Sequence, residues 1–410
     1  MPKLRLLHLA HSLRPESGGT ATAVLQAARS QRDKGHEVEI VSLQKPNTPS
    51  SPQDLKTHIV GSISGGYGFN RELGPWLKSR ASDYDLLIVH GLWQFPGLAA
   101  WRHWHREAGG RYMVFPHGML DPWFNRTYPL KKLKKLPYWW LCERRILRDA
   151  SAVCFTCEEE QRLASMSFGG YRANGKVVGL GLEAEISANK ADAESGFRKK
   201  YAIPNTASFI LFLGRIHPKK GLENTLTAYA RAFEKSITAP LLVIAGPPST
   251  PAYFDRLKKL VSNSGLQQID FTKEHTRPRN LTSSNSPTVV WLPMIQGNDK
   301  VGALHGCEAL VLCSHQENFG LVVAEAAAAS RPVLITRGVN IWREILSAKA
   351  GLVANDTPAE ICRIFETWRD TTSGKREEMG HHARQCYLGH FTADAATERF
   401  LDLAYHCRDE

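Results

Sequence analysis

Two glutamates eight positions apart, Glu317 and Glu325, stand in the stretch SHQENFGLVVAEAAAASRPVLIT between Ser314 and Thr336. Paired carboxylates accept hydrogen bonds from several hydroxyls at once, and the vicinal diols of ribose or a hexose present such donors in pairs. ENFG reads as a loop, LVVAEAAAAS as an Ala-rich helix, and PVLIT as a strand after Arg331 and Pro332. With the helix starting near Leu321, its first amides and positive dipole end face Asn318, Phe319 and Gly320, an arrangement suited to an anionic or hydroxyl-rich ligand. Taken alone, the two acids are more simply explained as one loop residue and one helix-surface residue.

Other candidates lie at the ends of apolar runs. YDLLIVHGLW (84–93) and RYMVFPHGMLDPW (111–123) each carry a histidine there, His90 and His117. In a parallel sheet the carboxyl ends of the strands line the ligand crevice. After the run FILFLG, the segment GRIHPKKG places Arg215 and Lys220 in a loop, where a guanidinium and an ammonium suit a diphosphate. Gly18 and Gly19 fall where a loop meets the helical pattern of Thr20 to Lys34; such a pair lets backbone amides approach a phosphate or sugar, and a plain turn would use it equally well. Cys154 and Cys157 have CxxC spacing without a second pair, which alternation along a strand explains better than metal binding. Asp83 and Asp85 imitate the DxD pattern of metal-dependent sugar transferases but precede their apolar run, at the wrong end of the strand, and read as solvated turn residues.

The elements that must position these residues alternate. LRLLHLA (4–10), a helical pattern, and HEVEIVSL make a βαβ opening, and Gly35 is placed to end the helix. LLVIAGPP (241–248), TVVWLPM (288–294) and EALVLCS (308–314) are further buried strands. Alternation of short apolar runs with helical patterns predicts parallel sheets covered by helices on both faces, so two α/β units stand in tandem. The polar stretch 182–204 is the expected linker, the later part of 249–287 a long surface loop, and TADAATERFLDLAYHCRDE a closing helix.

With 410 residues there is room for about two domains. No run reaches the ~20 apolar residues of a spanning helix, and the apolar core of the N-terminus is too short for a secretory signal. Scattered cysteines in apolar surroundings suit a reducing, cytoplasmic setting. The net charge of +12 implies attraction to an anion without choosing which. LKKLKKLPYWWLCERRILRD (130–149) interleaves lysine and arginine with large aromatics, as an interfacial helix on anionic lipid does. An amphipathic surface helix with Tyr138, Trp139 and Trp140 turned inward fits the same composition, and Pro137 argues against one continuous helix.

Together, GRIHPKKG, the E-x7-E pattern with its ENFG core, and the ESGG loop resemble the retaining glycosyltransferases of family 4; PHGMLDPW resembles a bacterial subset acting on exported polysaccharides. The resemblance implies the GT-B architecture, two Rossmann-like domains with parallel sheets facing a central cleft. It implies an acceptor-side domain over 1–183, joined by the C-terminal helix at about 391–410, and a donor-binding domain over 184–390. It assigns Arg215 and Lys220 to the donor diphosphate, and Glu317, with the amides of Phe319 and Gly320, to the donor sugar. Asn318 and Leu321 line the same donor site, and Glu325 takes the ribose hydroxyls. His117 matches a histidine close to the reacting sugar; His90 has no counterpart to transfer. VVGLGLEAE (177–185) replaces a common P-N-G-V-D sequence.

The implied activity is hexosyl transfer with retention, from a nucleotide-diphosphate sugar to a hydroxyl of a glycan or lipid-linked saccharide, in cell-surface polysaccharide synthesis. No cofactor or metal is expected, nor a nucleic-acid partner, and the site of action is the cytoplasm, peripheral to an anionic membrane face through 130–148. A nucleotide-sugar hydrolase or epimerase on the same fold, and a non-catalytic basic binding protein, are the alternatives.

Overall fold

The computed structural model describes residues 2–14, 19–43, 54–61, 65–183, 190–234, 236, 239–272 and 287–409. The chain divides into two units, Met1–Glu183 with Phe391–Glu410, and Ala184–His390. Each is built on a seven-stranded parallel sheet.

In the first unit the strands are β1 (Arg5–Ala10), β2 (Glu37–Ser42), β3 (Lys56–Ile59), β4 (Leu86–His90), β5 (Tyr112–Phe115), β6 (Ala152–Phe155) and β7 (Gly175–Val177). They lie in the order β3-β2-β1-β4-β5-β6-β7. The chain starts in the middle, winds outward to β3, and returns to place β4 beside β1, so the winding reverses between β1 and β4. β4, β5 and β6 are buried along their whole length, which follows from helices covering both faces.

The second unit has a related plan, with β11 inserted between β9 and β10, from β8 (Phe209–Leu213), β9 (Leu241–Ala245), β10 (Gln267–Asp270), β11 (Thr288–Leu292), β12 (Ala309–Leu312), β13 (Val333–Thr336) and β14 (Gly351–Ala354). Their order is β10-β11-β9-β8-β12-β13-β14, with the reversal between β8 and β12. In open parallel sheets such a reversal opens a crevice beyond the carboxyl ends of the two strands.

The closing helix, Ala393–Asp409, belongs to the first unit. Leu182 N–H donates to the Phe391 carbonyl, Thr397 Oγ1 to Ser30 Oγ, and Arg399 Nε to the Val178 carbonyl.

The stretch 182–204 is not a linker throughout. Lys190–Lys200 is a helix of the second unit, with Ala193, Phe197 and Arg198 buried. It packs against the helix Gly297–Gly306 at a spacing only glycine permits, since a Cβ on Gly302 would stand 2.1 Å from the Ala193 carbonyl oxygen. Arg198 ties it down through the carbonyls of Pro204, Ala207 and Gly306. Its polar composition belongs to the exposed face, which is why the sequence read as a tether. Within 249–287, Pro251–Asn263 is a helix followed by β10, and the part expected to form a long loop lies largely outside the described residues.

Candidate active site

The second unit gathers its charged candidates at its reversal point. β8 ends at Leu213; Gly214 turns the chain, and Arg215 follows, exposed. The His217 imidazole accepts a 3.0 Å hydrogen bond from Lys219 N–H, capping the short turn Pro218–Lys220. Gly221 then adopts φ 65°, and a Cβ there would meet the Cys313 carbonyl oxygen at 2.1 Å. Glycine thus lets this loop lie directly against the end of β12. The Lys219 carbonyl accepts from His315 N–H at 2.9 Å, which locks the two loops together.

This contact brings Lys220 onto Glu317, whose Oε2 accepts from Lys220 Nζ. The Glu317 backbone is held on both sides: its N–H donates to the Gly338 carbonyl at 2.7 Å, and its carbonyl accepts from Asn340 N–H at 3.0 Å. Burial pushes the Glu317 carboxyl up, but the charges of Lys220, Lys219 and Arg215 outweigh it and hold it below the usual carboxylate range. The group is ionised, oriented, and set in a field of three cations.

Gly320, at φ 73°, caps the helix Leu321–Ala328, so that helix begins where the sequence placed it. Phe319 is buried beneath the turn. Glu325 lies one turn into the helix, and its Oε1 accepts from Lys300 Nζ at 2.8 Å. No local pattern marks Lys300, which sits three residues into the helix Gly297–Gly306. The structure therefore groups Arg215, Lys220, Glu317 and Gly320 around one turn, and gives Glu325 a separate cation.

The first unit gathers neutral groups instead. His90 ends β4 and pairs in register with Ala10 of β1 and with Phe115 of β5. His8, two residues before Ala10, therefore shares the sheet face of His90. The two rings are nearly parallel with centroids 5.2 Å apart, and His90 and His117 likewise at 5.3 Å. Ring nitrogens link them: Nδ1 of His8 lies 2.9 Å from Nε2 of His90, and Nδ1 of His90 lies 3.0 Å from Nε2 of His117. At the inner end, His8 Nε2 lies 2.8 Å from Oε1 of Gln31, on the helix Gly19–Asp33. Burial lowers His8 and His117 to about 4 and His90 well below its usual range, so all three rings are neutral near pH 7.

His117 carries a positive φ of 50°, an unfavourable backbone for a residue with a Cβ. The next N–H, of Gly118, is held by the buried carboxylate of Glu160 at 2.6 Å. Strain of this kind persists only where the surroundings over-determine it. The three histidines line a pocket closed by Ala27 and Ser30 of the first helix and by Phe400 of the last. Sequence reading found His90 and His117 and missed His8 and Gln31.

The remaining candidates are placed as follows. Gly18 lies outside the described residues, and Gly19 opens the first helix. Asp85 accepts from the backbone N–H and guanidinium of Arg5, and Asp83 pairs with Arg80, at the amino end of β4. Cys154 is buried in β6, and Cys157, also buried, precedes the helix Glu158–Ser165; neither is in a disulfide. Among the described residues no cluster of three or more His, Cys, Asp or Glu could hold a metal ion.

Residues 18–181 match the model of the Glycosyl transferase 4-like domain, and residues 194–385 that of Glycosyl transferases group 1. The chain belongs to the group 1 glycosyltransferases. It is 25% identical over 315 residues to a D-inositol 3-phosphate glycosyltransferase of Corynebacterium urealyticum, covering 74% of this chain and 66% of that protein. It is 24% identical over 382 residues to a GDP-mannose-dependent phosphatidylinositol dimannoside mannosyltransferase of Mycobacterium tuberculosis, covering 89% and 87%. In fold, this glycosyltransferase superposes on Anabaena HepE, solved with UDP and glucose, at a TM-score of 0.72, with 16% identity and coverage of 97% and 98%. It superposes on WaaG, a glycosyltransferase involved in lipopolysaccharide biosynthesis, at 0.65, with 17% identity and coverage of 97% and 98%. The fold is GT-B.

Proposed function

We propose that this glycosyltransferase moves a hexose from a nucleotide-diphosphate sugar to a hydroxyl of a glycan or lipid-linked saccharide, with retention and without a metal. The observation that carries this is the loop of Arg215, Lys219 and Lys220 packed on an ionised Glu317 at the β8/β12 reversal. Arg215 and Lys220 neutralise the diphosphate as it leaves, together with the helix amides after Phe319. Departure of the diphosphate leaves an oxocarbenium-like centre, and the leaving phosphate oxygen takes the acceptor proton on the same face. Glu317, now exchanging Lys220 for the substrate, accepts from the donor sugar, and Glu325 from the ribose. His117 hydrogen-bonds a sugar hydroxyl. Relatives named for GDP-mannose and for a glycosylated inositol phosphate support a nucleotide-sugar donor and a hydroxyl acceptor.

The same reading takes the segment 129–149 as the part that meets a membrane face carrying the acceptor, and its surface supports this. Pro137 does not break it: the helix Pro129–Tyr138 runs through a π-helical turn, Trp139–Glu143, into Arg144–Asp149. Trp139 turns inward, whereas Leu130, Leu133, Trp140 and Leu141 stand exposed among the lysines. No helix among the described residues is long and apolar enough to cross a membrane. An exposed apolar row flanked by cations is the pattern of an interfacial segment.

Mass-spectrometric screening of sugar nucleotides, each with and without saccharide acceptors, tests the reading. A glycosylated acceptor with the donor's anomeric configuration is expected. Free sugar released at the same rate without acceptor would replace transfer by hydrolysis.

A further inference from the structure

A neutral imidazole has one N–H and one lone pair, so each ring in a hydrogen-bonded row donates at one nitrogen and accepts at the other. The row His8–His90–His117 can therefore hold only two states. Either every ring carries its proton on Nε2, or every ring carries it on Nδ1. A mixed row would set two lone pairs or two N–H groups against each other across about 3 Å. Gln31 closes the buried end, and the end of its amide that meets His8 selects the state: Oε1 goes with the Nε2–H row and Nε2 with the Nδ1–H row. With Oε1 facing His8 Nε2 at 2.8 Å, His8 donates from Nε2, His90 donates from Nε2 to His8, and His117 donates from Nε2 to His90. His117 is then left with a bare lone pair on Nδ1, at the partly exposed end of the row.

We propose that His8, His90 and Gln31 are positioning residues that lock His117 in its Nε2–H tautomer, so that its Nδ1 serves as a fixed acceptor for a substrate hydroxyl. The proposal rests on the reading of His117 as a sugar-hydroxyl contact, and it adds a control element three side chains deep. The rings lie edge to edge and close to one plane, with interplanar angles of 12° and 22°, as in-plane N–H···N bonds require. Gln31 and His8 are almost fully buried, so the inner end of the row is shielded from bulk solvent. The strained backbone of His117 acquires a purpose: it aims Nε2 back at His90, at some cost to the local conformation.

The test is the tautomer of each ring, read from the nitrogen shifts of histidine-labelled full-length protein at neutral pH, beside transferase kinetics. Wild-type protein is expected to show Nε2–H at His8, His90 and His117. Gln31→Met removes the inner acceptor while keeping the length of the side chain, and should mix both tautomers at all three rings together, although His117 is two rings away. His90→Phe keeps an aromatic ring in place and breaks the row, and should mix the tautomers of His117 alone. Each variant should lower kcat/KM by about tenfold, the loss of one oriented hydrogen bond. Wild-type rings of mixed order, or a Gln31→Met effect confined to His8, would overturn the lock. An intact lock whose loss leaves kcat/KM unchanged would overturn its role at the substrate. Because the nitrogen spectra need no substrate, a failure to find transfer would count against the proposed function and leave the reading of the row to be judged separately.

Discussion

The two units solve one topological problem with opposite electrostatics. Each reverses its winding beside its first strand, at β1/β4 and at β8/β12, and each gathers its candidates at or just beyond the carboxyl ends of the strands. The first unit holds three neutral imidazoles in a row that runs from a buried end to a partly exposed one; the second holds a carboxylate among three cations. Two glutamates, Glu143 fully buried and Glu317 half-buried, make the contrast sharp. Burial raises Glu143, in the first unit, to about 7, and the Trp93 N–H at 2.9 Å and Lys135 only partly offset it. Burial acts on Glu317 in the same direction, and adjoining cations reverse the result. Neighbouring charge, more than depth, decides whether an acid works here as an anion. The neutral row suits a hydroxyl, and the charged loop suits a diphosphate.

The largest effect should come from removing a cation from the charged loop. Lys220→Ala is expected to raise the barrier to transfer by about 2 to 4 kcal/mol, read as a fall in kcat/KM. It also leaves Glu317 without its nearest cation, so donor binding should weaken. Near-normal turnover would mean that the loop is a surface feature and the contrast with the first unit is accidental.

The glutamate pair breaks or confirms the comparison through pH. Glu143 binds its proton more tightly when folded, so its contribution to stability is present below 4.5 and is lost as pH rises through about 7. Glu143→Gln should therefore match wild type near pH 4.5 and gain on the order of 3 kcal/mol relative to it above pH 7. Glu317 has the opposite sign: its contribution is present above the usual carboxylate range and is lost as pH falls. Glu317→Gln should thus be the less stable protein at neutral pH, with the gap closing in acid. Urea titrations at several pH values measure both, and slopes of the same sign would remove the distinction.

Glu325 tests whether the second unit uses its acids for separate tasks. Its charge is balanced by Lys300 instead of the diphosphate loop. Glu325→Gln should weaken nucleotide binding by roughly 1.5 to 3 kcal/mol, the worth of a charged acceptor. Calorimetry with nucleoside diphosphates would show it, and unchanged affinity would detach this residue from the ribose.

The charged site was far more legible in the sequence than the neutral one. Arg215, Lys220, Glu317 and Glu325 sit in short loops and a helix start whose local spacing fixes their positions, so GRIHPKKG and ENFG could be read directly. His8 is hidden in the run LRLLHLA, where it looks like one more strand residue. What exposes it is the pairing of β1 with β4, separated by about 80 residues of chain, and no local pattern reports such a neighbour. Gln31 likewise acts through the way its helix lies on the sheet. The pairing of Lys300 with Glu325 depends on the packing of two helices, again beyond local spacing. The helix Lys190–Lys200 was missed for a different reason: its buried contacts come from a few residues and one arginine, and the rest of its surface is polar.

The smallest expected effect concerns the exposed lysines, and there the structure divides residues that the sequence could only group. Lys135 lies 4.3 Å from the centre of the Trp93 ring and is partly buried, so it braces the first unit. Lys134 is exposed beside Leu133, which is 64% exposed. A lysine near an anionic surface contributes about 1 kcal/mol to binding. Lys134→Gln should therefore reduce co-sedimentation with phosphatidylserine vesicles by about fivefold in partition coefficient without altering thermal stability. Lys135→Gln should do the reverse, lowering stability with a smaller change in partition. Equal losses of partition from the two variants would show that charge density alone attracts the membrane, and the oriented apolar row of Leu130, Leu133 and Leu141 would then have no part in it.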